Sequence, residues 1–124
     1  MGGFMETQAE VLKKRTKLFA IRIIRLTRSL PRTEDARIIG RQLLRSATSV
    51  GANYRAVRRA RSRPEFIAKM GIVVEEADES SFWLELLGEV ELVSDQELEP
   101  YLKEANELLA IFAASQRTAK SNRS

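Results

Sequence analysis

The 124 residues make one domain's worth of chain, 44% apolar and 31% charged, which is the balance of a globular protein and not of a disordered one. Neither Cys nor His occurs, and this excludes disulfides, thiolate nucleophiles, a Ser-His-Asp arrangement and most zinc chemistry. Net charge is +4, no apolar run reaches membrane-spanning length, and no signal-peptide core opens the chain, so the expected location is the cytoplasm.

Three prolines, Pro31, Pro64 and Pro100, divide the chain into four stretches of helical periodicity with almost no strand alternation. In the first, Leu12, Thr16, Phe19, Ile23, Leu26 and Leu30 step by four and three along one face. The second follows Thr33, an N-cap candidate with Glu34 and Asp35 suited to the helix dipole behind it. Its apolar steps are Ala36, Ile39, Leu43, Ala47, Val50, Tyr54 and Val57. The third begins at Ser62, spaced from Glu65 as in a capping box, and carries Phe66, Met70, Val73, Ala77, Leu84 and Leu87 on one face. Ser94 and Glu97 repeat that spacing before the fourth, though Pro100 places its regular start near Leu98. Leu98, Leu102, Ala105, Leu109 and Phe112 form the expected stripe there.

Four amphipathic helices on short turns make an all-α, antiparallel up-down bundle the expected fold, spanning 7–117. Residues 1–6 read as a disordered N-terminus and 118–124 as a basic flexible tail.

Charge is unevenly spread. Residues 37–69 carry nine Lys and Arg against Glu65 alone, while residues 70–107 carry twelve acids against Lys103 alone. Such polarity points to a polyanion partner or to a self-complementary assembly. The cations form a ladder on the second helix: Arg37, Arg41 and Arg45 at intervals of four, then Arg55, Arg58, Arg59, and finally Arg61 and Arg63 in the following turn. Like charges one turn apart repel, so the ladder suits an external anion such as a phosphate backbone; a solvated face paired with the acidic third helix is the alternative. Tyr54 is the only aromatic in the ladder, so base stacking is not expected. Between the two groups of arginines lies "SATSVGAN", whose small side chains suit a close helix crossing or a local kink.

Glu75, Glu76 and Glu79 have the E-E-x-x-E spacing with which all-α nucleotide pyrophosphatases hold Mg²⁺, but the second pair needed, here Glu91 and Asp95, is spaced by four in place of three. No catalytic residue, metal ligand or cofactor is therefore assigned. Phe82, Trp83 and Leu86 widen the apolar arc of the third helix beyond one seam, which marks them as oligomer-interface candidates.

The stretches "IIRLTRSLP", "ARIIGRQLLRSATSVGANYRAVRRARS" and "EFIAKMGIVVEEADESSFWLELL" resemble the four-helix bundle proteins encoded by intervening sequences in bacterial 23S rRNA genes. The hallmark element falls on Leu44, Arg45, Ala47, Ser49, Val50 and Asn53; Gly51 stands where the family often has Pro, and Tyr54 to Val57 replace its usual I-A-E-G. The resemblance implies a ring, a homopentamer, similar to the nucleic-acid-binding accessory protein of diversity-generating retroelements. By that likeness a reverse transcriptase is a candidate partner. The expectation is thus a non-enzymatic oligomer that binds RNA or DNA without strong sequence preference. A purely structural oligomer and a Mg-dependent pyrophosphatase are the alternatives.

Overall fold

The structure, a computed structural model, describes residues 6–122. It consists of four helices, α1 (Gln8–Arg28), α2 (Glu34–Val57), α3 (Arg63–Glu89) and α4 (Asp95–Ser121), with no strand among the described residues. Each helix starts at a hydroxyl side chain that accepts from the amide three residues on: Thr7 from Glu10, Thr33 from Ala36, Ser62 from Glu65, and Ser94 from Glu97. One otherwise unpaired amide is satisfied at each start, which stabilises each by about 1 kcal/mol. Glu65 closes the cap of α3 by accepting from the amide of Arg61.

The ends have equally local causes. Pro31 follows shortly after α1 and forbids its continuation. At the end of α3 the amide of Leu92 reaches back to the Leu87 carbonyl and that of Glu91 to Gly88, with Glu91 in the left-handed region at φ 62°. This is a Schellman closure with Glu where Gly is usual.

Packing is sequential. α2 lies against α1 and α3, α3 lies against α4, and α1 meets α4 more sparsely. The α1–α4 seam is bridged by Arg15, which donates to Glu104 at 2.6 Å and to Glu107 at 3.3 Å. The core matches the expected α2 stripe at every step, Ala36 through Val57. Leu12, Thr16, Phe19, Ile23 and Leu26 are buried on α1, and Met70, Val73, Ala77, Leu84 and Leu87 on α3.

Three details of α4 differ from the sequence reading. The helix begins at Asp95, not near Leu98, because the exposed ring of Pro100 leaves the unused Gln96 carbonyl open to water. Leu108 is fully buried where Leu109 was expected, and Leu102 and Leu109 flank the core half-buried. Helix continues to Ser121, through most of the stretch read as a tail. Residues 1–5 of the expected disordered N-terminus, and residues 123–124 of the tail, lie outside the described residues.

Candidate functional site

The small residues of α2 serve contact. Ser46, Ala47 and Val50 are buried, and the Ser80 hydroxyl of α3 donates to Ser46 Oγ at 3.1 Å. A Cβ added at Gly51 would meet the backbone oxygen of Thr16 at 3.5 Å, so α1 runs close to α2 there. α2 is one continuous helix through this run. The crossing reading holds, but of the arginines beyond it only Arg55 lies on α2. Arg58 caps the helix, Arg59 and Arg61 lie in the turn that follows, and Arg63 opens α3, so the turn as well as helical phase places them.

The ladder is interrupted in its middle. Arg45 reaches across to α3, with Nη2 2.5 Å from Glu79 Oε1 and Nη1 3.3 Å from Glu76 Oε2. Trp83 Nε1 donates to the same Glu79 oxygen at 3.2 Å, and its ring meets Phe82 edge-on at 4.8 Å. Hydrogen bonding from Arg45 holds the Glu79 carboxyl below its ordinary range, whereas burial pushes that of Glu76 up against the opposing pull of Arg45. Arg45 therefore serves as a latch between α2 and α3, as the alternative reading allowed. Arg37 has only a local, exposed partner, Glu34 at 3.1 Å. Arg41, Arg55, Arg58, Arg59, Arg61 and Arg63 make no ion pair with any described residue.

Two clefts are lined by ladder arginines, one toward each end of α2. Lys13 of α1 joins Arg55, Arg58 and Arg59 around a cleft of about 260 Å³. At the other end Arg28 and Arg32 join Arg37 and Arg41 in the lining of a cleft of about 520 Å³. No carboxylate lines either. Arg41 and Arg55 are fourteen residues apart on one helix, about 21 Å along its axis. Lys13, Arg28 and Arg32 do not stand out in the sequence, because only the pairing of α1 with α2 brings them to these positions.

Beside the first cleft, the start of α1, the end of α2, the start of α3 and the end of α4 surround a groove of about 880 Å³. Its walls are mostly apolar, and Arg58 lines both groove and cleft.

The acidic residues do not converge. Glu76 and Glu79 are engaged by Arg45, and Glu91 sits in the α3–α4 turn, beyond the roughly 15 Å of helix that separates Glu79 from Glu89 at the end of α3. Among the described residues no three acidic side chains are placed to hold a metal ion. On the outer side of α3, Phe82 is 53% exposed and Ile72 and Val90 are also exposed, while Trp83 and Leu86 are half-buried against the core. No helix among the described residues is long and apolar enough to cross a membrane.

A family model described as 23S rRNA-intervening sequence protein matches residues 8–114. The chain is also similar to a crystal structure from Bacteroides thetaiotaomicron VPI-5482, a protein of unknown function from the S23 ribosomal protein family. The two share 32% identity with a TM-score of 0.82, over 90% of this chain and 99% of that one. Among curated proteins none matches.

Proposed function

The chain belongs to the 23S rRNA-intervening sequence protein family, and from that premise we propose that it is a non-enzymatic, oligomeric helical bundle that binds RNA or DNA through an arginine-rich surface along α2 and the turn after it, without strong sequence preference. One observation carries this reading. Lys13, Arg55, Arg58 and Arg59 crowd one cleft whose lining holds no carboxylate, while Glu76 and Glu79 on α3 are engaged by Arg45. Four cations so close repel one another unless an anion joins them, and a phosphate backbone offers anions at regular spacing. Arg41 and Arg55, about 21 Å apart along α2, would span about six phosphate steps of one strand of a duplex.

An antiparallel up-down course and a closed ring belong to the same proposal. The groove that gathers alternate helix starts and ends supports the first. For the second, the exposed stripe of α3 combines Ile72, Phe82 and Val90 with Glu75 and Glu85, whereas α1 exposes Val11 and Leu18 among Lys14, Lys17 and Arg22. Complementary stripes on different helices make a head-to-tail contact, the kind that closes into rings.

Binding to mixed-sequence RNA and DNA over a salt series tests the proposal. Replacing Arg55, Arg58 and Arg59 with Ala should weaken binding and flatten the log–log salt slope by up to about 0.9 for each phosphate no longer neutralised. An unchanged slope would remove these arginines from the interface. No retention at physiological salt would favour the purely structural oligomer, to which the apolar stripe of α3 also points.

A further inference from the structure

The groove at the end of the bundle is larger and more apolar than phosphate binding requires. It is walled by Leu12, Phe66, Met70 and Ile111, with Tyr54 and Phe112 at its base, their ring centroids 5.3 Å apart. At about 880 Å³ it lies within the range of small-molecule sites. Tyr54 is only 5% exposed, yet its hydroxyl makes no hydrogen bond to any described residue, and no fully enclosed polar atom lacks a partner. The hydroxyl therefore opens into the groove, a polar handle on an apolar wall. Burial pushes its pKa up, opposed by the charge of Arg58, so it remains a donor at neutral pH.

We infer that this groove receives an unstacked base of a single-stranded nucleic acid whose flanking phosphates lie on Lys13, Arg55, Arg58 and Arg59. The inference rests on the proposed nucleic-acid binding and names which form of it the bundle end prefers. Arg58, shared by groove and cleft, sets base and phosphate side by side as they are in a nucleotide. Aromatic and aliphatic walls accept any base face, so recognition would be tolerant of sequence, and Tyr54 would donate to an acceptor on the base edge. A fatty acyl ligand would match the walls, but its single carboxylate would leave most of the four cations unanswered.

The test compares a short mixed-sequence DNA single strand with a blunt duplex of the same length. The full chain should bind the single strand about tenfold tighter. Ser115→Trp, which places an indole in the groove, should abolish that preference and leave duplex binding and its salt slope unchanged. Tyr54→Phe, which keeps the shape of the wall, should reduce the preference severalfold, so a folding defect in the first variant does not decide the result. Equal single-strand binding by all three proteins overturns the groove assignment while the basic clefts stand. Loss of both ligands by the parent chain overturns the clefts and the groove together. A change in assembly mass with Ser115→Trp, or acyl chains extracted from the purified protein, would give the groove a different occupant and overturn the inference.

Discussion

Arg45 Nη2 stands 2.5 Å from Glu79 Oε1, and this ion pair changes what the arginine ladder of α2 is. A run that reads in sequence as one continuous positive face becomes two clefts separated by a latch. The latch is extended by Trp83, which donates to the same carboxylate oxygen, and through Trp83 it reaches the exposed ring of Phe82. The residue that fastens α2 to α3 is thus linked, through Glu79 and Trp83, to an exposed aromatic ring on α3.

Arg45→Ala should therefore cost stability and leave nucleic-acid binding alone. The pair is partly open to water, with the Arg45 side chain 47% exposed, so its removal should cost about 1 kcal/mol, read as a melting temperature lower by about 4 °C. Binding to mixed-sequence DNA should stay within about twofold of the parent. A loss comparable to that of the Arg55, Arg58 and Arg59 variants would return Arg45 to the binding surface.

Glu91 holds the left-handed position that closes α3, which costs a residue with a Cβ roughly 1 kcal/mol. Glu91→Gly should raise stability by up to about 0.5 kcal/mol after the added freedom of the unfolded chain is counted. Glu91→Val should lower it, because a β-branched side chain tolerates that conformation least. Thermal melts of the two variants should move in opposite directions.

Acid should destabilise the bundle. Asp35, held down by Thr33 and the Ala36 amide, Glu65, held down by Lys69 and the Arg61 amide, and Glu79, held down by Arg45, all have folded-state values below their ordinary ones. A depressed carboxyl binds protons more weakly folded than unfolded. Its stabilisation is complete above the ordinary carboxylate range and is lost as pH falls through the folded value. Glu76, pushed up by burial, opposes this trend in part. The melting temperature should hold near neutrality and drop below about pH 4, and Glu79→Gln should flatten the drop while lowering the neutral value.

Phe82 is more than half exposed, so Phe82→Glu should leave the protomer folded. If α3 carries the subunit contact, the change should reduce the assembly to protomers in sedimentation or light scattering, with the helical signal intact. An assembly of unchanged mass would move the contact elsewhere.

The helices themselves were legible because their causes are local. Thr33, Ser62 and Ser94 each cap the helix that their spacing predicts, and every apolar step of α2 is buried, since periodicity within a helix depends on nothing outside it. Leu108 in place of Leu109 shows where such reading ends: α4 has a broad apolar arc, and its rotation is settled by how it seats on α3.

The charges divide along the same line. From the sequence alone follow a helical bundle, the caps at Thr33, Ser62 and Ser94, a basic second helix and an acidic third, whereas the Thr7 cap of α1 is seen only in the structure. Only the tertiary structure decides that Arg45 is answered by Glu79 while Arg55, Arg58 and Arg59 meet no carboxylate among the described residues, and that Lys13 of α1 joins them. Which charge meets which depends on the register between neighbouring helices. A shift of one turn, about 5.4 Å, exchanges an ion pair for an open cleft without altering the periodicity of either helix.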